Sequence, residues 1–590
     1  MSCISPSLAT LISRNLRYLI LWHYTIACFP LFPNEADSRR LKFEYKTLSN
    51  AMDDPDAAEL ARLGHRSELK RSFSPLSMLG LAFAILNSWT ALSASLSLAL
   101  PSGGSTSVLW GLITAGVCNL CLATSLAEFL SAYPTAGGQY HWVAVISWPS
   151  WVPLLSWITG WINVSGWIAL VAAGGLLGSQ LILGAISLFN PNYVSQRWHQ
   201  FLIYIGYNLL AFLINAFMTG ALPLINRSAF IWSILGFFVI CATVLSTASP
   251  NYSSAEFVFT DFRNETGWPD GIAWLLGLLQ AGLGLTGFDA VAHSLSPIFH
   301  FTNLEANWTS VIEEIPNAAV EGPKIMIACV AIGIFTGFIF LMVLLFVAGQ
   351  IDGLEGVISS SAGPLLQIFY NATQSKAGAV CLLMFPLVCM LFATTSVMTT
   401  STRMTYAFAR DGGLPLSSTF SRIHPTLGLP LNALYLTVSL VVIFGCIFLG
   451  SDSAFNAIIS ASVVALGVSY GIPIAINCLR GRKMLPISRA FKLPEWFGWV
   501  ANLIGLAYVI VTTVLFLFPP ELPVTGSNMN YCIVVFFIIL VISIMQWFID
   551  GKKNYNGPRF DIDNLQNAVV EGIDANHEEE GSFEAEKATK

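Results

Sequence analysis

Charge is scarce in this sequence: only 11% of its 590 residues are Asp, Glu, Lys or Arg, against roughly a quarter in a soluble domain. That shortage excludes an ordinary water-facing surface. A basic excess is lacking too, because 28 Lys and Arg face 34 Asp and Glu for a net charge of −6, and this excludes a nucleic-acid partner. A disulfide framework is excluded by position. Cys118, Cys121, Cys241, Cys329, Cys381, Cys389, Cys446, Cys478 and Cys532 all fall in or beside apolar runs, where they read as small helix residues. The pair Cys118-x-x-Cys121 has neither a second pair nor a nearby histidine to complete four ligands, so no metal or other cofactor is expected.

What the sequence has in abundance is apolar length, with 55% hydrophobic residues. Runs long enough to cross a bilayer lie near 76–100, 108–130, 152–187, 199–219, 229–248, 271–293, 325–349, 377–408, 430–450, 455–478, 497–518 and 529–549. They predict an all-α polytopic membrane protein of about twelve transmembrane helices, with a cytosolic segment at 1–75, a twelve-helix domain at 76–549 and a disordered acidic tail at 550–590. With the N-terminus inside, 25 of the 28 basic residues fall on the cytosolic side and only Arg197, Arg263 and Lys376 outside. So uneven a split predicts that both termini are cytosolic. Sequons at Asn251, Asn264 and Asn371 fall in loops assigned outside.

Two spans are interrupted. The first carries Asn87, Ser88, Trp89 and Thr90 in its middle, and the sixth reads Gly282 to Ala290 with Thr286, Gly287, Phe288 and Asp289 at membrane depth. A charge at the bilayer centre costs about 2.5–3.5 kcal/mol even on a lenient scale, so Asp289 is expected to face a cavity or a partner. Interrupted spans five helices apart point to a 5+5 inverted repeat with broken helices 1 and 6 and a site at the midplane. Freed backbone groups are tolerated only where they line such a cavity. Asn163 and Trp167 in the third span and Thr395 in the eighth are candidates to complete the pocket, with interhelical bonding as the competing reading. Glu128 is expected to pair with Arg403 or Arg410 as a structural or gating ion pair, and Asp289 to serve substrate or coupling ion.

The stretches Asn87-Ser88-Trp89, Ala127-Glu128, Ser131 to Tyr140, Asn264-Glu265-Thr266-Gly267-Trp268, Ala407 to Pro415 and Leu522-Pro523-Val524-Thr525 carry a resemblance. Over about residues 73–555 the chain resembles the fungal amino acid/choline permeases, the group with choline and GABA permeases, of the amino acid-polyamine-organocation superfamily. The resemblance implies the broken-helix fold and uptake of a small amine or amino acid across the plasma membrane, usually with H+ rather than Na+ as the coupling ion. Without it, Pro134, Gly137 and Gly138 still read as a tight turn, and Arg410-Asp411-Gly412-Gly413 as a helix end with a cation at its negative pole.

The sequence also departs from that pattern. Its fifth span has no lysine, its first lacks a Gly-Ser-Gly break, and Ser294 to Val311 reads as an insertion after the sixth span. Two other classes stay open on the residues alone. One is a nutrient-sensing homologue that does not transport; the other is an intramembrane enzyme using Asp289 or His293, for which no second intramembrane aspartate or histidine set is evident.

Overall fold

Apolar runs this long can satisfy their backbone in lipid only by coiling into helices, and helices are what they form. The computed structural model describes residues 85–293 and 318–558, apart from 136, 219, 220, 350–352, 426, 451–453, 488, 527 and 556. The helices used below are α1 (Ser88–Ala94), α2 (Leu96–Ala132), α3 (Gln139–Ile146), α4 (Val152–Phe189), α5 (Arg197–Phe217) and α6 (Leu222–Ala248). They continue with α7 (Asp270–Leu285), α8 (Ala290–His293), α9 (Ala318–Ala348), α10 (Pro364–Thr373) and α11 (Lys376–Arg410). The last are α12 (Leu431–Gly450), α13 (Ala454–Leu479), α14 (Glu495–Leu515) and α15 (Cys532–Gln546).

Among the described residues, eleven helices are long and apolar enough to cross a membrane. The chain is therefore an all-α, multi-pass membrane protein. The expected first span falls partly on 76–84, outside the described residues, as do the expected N-terminal segment, the insertion at 294–311 and most of the acidic tail. Burial sorts the helices into centre and rim: the apolar window of α13 is 83% buried and that of the segment containing α15 only 17%. Phe537, Ile538 and Leu540 on α15 stand exposed, which suits acyl chains and not water. The central helices α4, α7 and α13 pack through α4·α13, α4·α11 and α2·α7 interfaces. Small residues let α4 approach closely. A β-carbon at Gly160 would lie 2.2 Å from the Phe408 ring on α11, and one at Gly166 would lie 2.9 Å from Leu466 on α13.

Two boundaries differ from the sequence reading. The runs 76–100 and 108–130 meet without a loop: α2 covers the join, with non-helical backbone at Gly103 and Gly104. The φ of +59° at Gly104 and the backbone of Asp261 and Arg263, 3.0 Å from where its β-carbon would sit, explain why glycine holds the corner. At the other end, Tyr555 lies in what reads as tail, yet it is buried against Trp157 and Phe408 with its hydroxyl 2.9 Å from Ser156 Oγ.

Candidate functional site

Both sequence-predicted interruptions are present as backbone geometry. Asn87 takes the left-handed conformation at φ 39°, separating Ile85–Leu86 from α1, and Ser95 (φ −103°, ψ 18°) separates α1 from α2. In the sixth span α7 stops at Leu285, Thr286 is extended, Gly287 has φ 102° and α8 restarts at Ala290. A positive φ at Gly287 is the reason for glycine there, whereas Gly284 serves packing, with Leu92 of α1 2.6 Å from its β-carbon position.

Asp289, fully buried, is the hub of this region. Tyr470 of α13 donates its hydroxyl to Oδ1 at 2.5 Å, Gln139 of α3 donates Nε2–H to Oδ2 at 2.8 Å, and His293 Nε2 lies 3.2 Å from Oδ2. The Tyr470 oxygen in turn accepts the Gly287 N–H at 3.3 Å. Asn163 of α4 donates to Gln139 Oε1 at 2.7 Å and to Ser469 Oγ at 3.4 Å. Three elements thus meet at one carboxylate, and α4 joins them through Gln139.

Buried polar atoms with no hydrogen-bond partner among the described residues include Asn87 Nδ2 and Ser88 Oγ at the first break, and Asn163 Oδ1 and Trp167 Nε1 on α4. Trp167 lies close to the break, 3.7 Å from the β-carbon position of Gly287, and its ring meets that of His293 edge-on at 5.9 Å. An unsatisfied buried polar group costs about 1–3 kcal/mol, and although such atoms also occur elsewhere among the described residues, these four lie at the first break and on the helix that meets Gln139.

The amino acid permease family matches residues 76–540. The chain belongs to that family. A Macrophomina phaseolina protein, provisionally named an amino acid/polyamine transporter, is 36% identical over 77% of this chain and 96% of its own length. The choline transporter of Saccharomyces cerevisiae is 32% identical over 86% of each chain. Amino-acid permease 2 of Neurospora crassa is 30% identical over 85% of this chain and 88% of its own length. This permease is accordingly a membrane transporter and not an enzyme. The names of these relatives span different cargoes, so membership by itself leaves the substrate open.

The other predicted site residues separate into groups. Trp89 is fully buried, donates to Ser233 Oγ at 2.8 Å and packs on Phe340 with centroids 4.6 Å apart. Phe288 instead packs on Tyr470 at 4.9 Å. Thr90 Oγ1 bonds the Asn87 carbonyl, and Thr286 Oγ1 the Gly282 carbonyl. Thr395 is not brought to Asp289: its hydroxyl bonds Leu391 and its carbonyl accepts from Asn215 of α5, the interhelical role weighed against a pocket role.

Glu128 does not take the expected partners. Its Oε2 meets Arg482 Nη2 and its Oε1 meets Arg489 Nη2, each at 2.7 Å, and Leu493 N–H adds a third bond at 3.1 Å. The loop after α13 folds back over the end of α2 and supplies the cations, at sequence separations of 354 and 361. Arg410 instead lies 3.8 Å from its neighbour Asp411.

Sequence reasoning missed Gln139 and Tyr470 as partners of Asp289. A lone tyrosine inside an apolar span and a glutamine after two glycines were the signals. It also read Asp411 only as part of a turn. Asp411 is buried and its Oδ2 receives Tyr140 Oη–H at 2.8 Å and faces His141 Nε2 at 3.0 Å. Burial would raise this carboxyl, but His141, Arg410 and Tyr140 outweigh it and hold it below the ordinary value.

At the start of α2, the opposite end from Glu128, the described residues form a cavity of about 400 Å³ lined by Ser97, Ser102, Leu276, Phe516, Glu265 and Glu521 among others. Among the described residues no group of three His, Cys, Asp or Glu is placed to hold an ion.

Proposed function

We propose that this permease is a secondary active transporter that imports a small amine or amino acid, choline-like or GABA-like, with the substrate's polar head held between the breaks at Asn87 and Gly287. The observation that carries this reading is the set of buried, unpartnered polar atoms beside those breaks, with Asp289 adjacent. Asn87, Ser88, Asn163, Trp167 and the backbone near Gly287 are the proposed substrate contacts. Asp289 is assigned to the coupling ion, H+ in preference to Na+, because its neighbours are the hydroxyl, amide and imidazole of Tyr470, Gln139 and His293. A sodium site would require several oxygen ligands at short range.

The proposed architecture is twelve spans in a 5+5 inverted repeat, in the plasma membrane with both termini cytosolic. The matched pair of breaks supports the repeat, and the uneven distribution of Lys and Arg supports the orientation. Glu128 with Arg482 and Arg489 serves as a structural or gating cluster at the cytosolic end.

The test is uptake of radiolabelled choline, GABA, ethanolamine and neutral and basic amino acids at two external pH values. One member of the panel is expected to accumulate faster at the lower pH, and Asp289→Asn should abolish accumulation while leaving exchange measurable. Accumulation that ignores pH, or an Asp289→Asn variant that still concentrates substrate, overturns the assignment.

A further inference from the structure

Two buried histidines stand between the helix break and the end of the molecule that carries Arg410, Arg480, Arg482 and Arg489. His293, on α8, faces Asp289; His141, on α3, faces Asp411. Both rings press on one glycine pair. A β-carbon at Gly138 would lie 2.6 Å from His293 Cε1, and one at Gly137 would lie 2.1 Å from His141 Cδ2. With any side chain at these two positions the imidazoles could not close on the turn from both sides. The turn carries Gln139 next, which holds Asp289 itself, so one short segment touches both acid–histidine pairs.

A packed core has no need of two acids and two imidazoles in series, since ionisable groups are expensive to bury and apolar replacements are often as stable. We propose that His293 and His141 form a relay that passes the coupling proton from Asp289 to water at the basic end. The proposal rests on the reading of the chain as a proton-coupled transporter and names the route of that proton. The proton leaves the Asp289 carboxyl for His293, leaving a carboxylate and an imidazolium. A water bridging the two rings at the glycine pair then takes the proton from His293, which returns to neutral, and gives one to His141; from His141 it departs to water beside the partly exposed Arg410. Asp411 stays ionised throughout as the counter-charge that orients His141.

The surrounding groups fit that sequence. Tyr470, Gln139 and, from α9, Cys329 surround Asp289. Tyr140, Arg410, Asp411 and His293 surround His141, and Tyr406 and Tyr555 add to the environment of Asp411. Burial lowers His141 below its ordinary value, and Arg410 and His293 add to this against the pull of Asp411. The ring is then neutral at cytosolic pH and releases a proton readily once it has received one.

The experiment uses the full chain in proteoliposomes with a pH dye inside and choline and GABA as probes, comparing the unmodified chain with His141→Gln and His141→Asn. Both amides keep a hydrogen-bond donor for Asp411 but cannot carry the proton. Substrate-linked internal acidification and accumulation should fall by about tenfold or more, while exchange of labelled for unlabelled probe stays within about twofold. If the unmodified chain moves neither probe, the choline-like or GABA-like reading fails, and with no coupled flux of either the relay fails with it. Transport by the unmodified chain without acidification overturns proton coupling. Acidification retained in the His141 variants overturns the relay alone, and loss of exchange in both variants assigns the ring to the fold and overturns it equally.

Discussion

The two tryptophans near the breaks show how one residue type does two jobs. Trp89 has its N–H bonded to Ser233 and its ring against Phe340 and Phe237, so the protein already uses every part of it. Trp167 keeps its ring buried while its N–H has no partner among the described residues. Replacing each by phenylalanine separates the roles. Trp89→Phe leaves Ser233 without its donor and should lower thermal stability in detergent, by about 1 kcal/mol for one neutral hydrogen bond, with a small effect on KM. Trp167→Phe removes a donor that the protein does not use, so stability should hold while KM for the transported substrate rises about three- to tenfold. Equal and unchanged KM in both variants would remove Trp167 from the proposed contacts. The sequence pointed to both residues by their place on polar spans, but which indole was spoken for depended on Ser233, 144 positions away.

At the scale of elements, hydropathy made the spans readable because lipid allows little else: α4 and α11 start and end within two residues of the expected limits. Glycine and asparagine marked the breaks for an equally local reason, since left-handed backbone favours them. Pairing across elements was not readable. Glu128 near the end of α2 was matched to basic residues at the end of α11, but the loop between α13 and α14 reaches it first and brings two guanidinium groups. That loop is fixed on both sides, because Arg480 also donates to the Ile146 and Ser147 carbonyls at the end of α3. All three members of the Glu128 cluster have side chains nearly closed to solvent, at 1%, 2% and 6% exposure. Glu128→Ala would leave buried Arg489 without its carboxylate and Arg482 with only the exposed Glu495, 3.8 Å away, and should cost about 3–5 kcal/mol, seen as lost membrane delivery and a lower Tm. Replacing Glu128, Arg482 and Arg489 together with apolar residues of like volume should recover much of that stability. If it also restores transport, the cluster is structural; if stability returns and transport does not, it acts as a gate.

Over the whole molecule, charge is sorted by end. From Ser105 to Ala132, α2 runs about 40 Å at 1.5 Å per residue. At its later end gather Glu128, Arg410, Arg480, Arg482 and Arg489 with the turn before α3, while the Gly103–Gly104 end meets loops tied together by Glu265 N–H to the Pro101 carbonyl, Leu522 N–H to the Thr266 carbonyl and Trp268 Nε1–H to the Pro519 carbonyl. The cavity at that second end carries Glu265 and Glu521, with Arg263 3.4 Å from Glu265 as a nearby cation. In the proposed orientation it opens outward, and a mouth lined by carboxylates raises the local concentration of a cation before it reaches the breaks. Such attraction acts over about a Debye length, near 8 Å at physiological ionic strength and shorter as salt rises. Glu265→Gln with Glu521→Gln should therefore slow initial uptake of a cationic substrate several-fold at low salt, with little change at saturating substrate. The difference from the unmodified chain should shrink as ionic strength increases, and a net-neutral amino acid measured in parallel should be spared. A salt-independent loss that affects both substrates alike would mean that these carboxylates hold the loops in place and do not draw in the cargo.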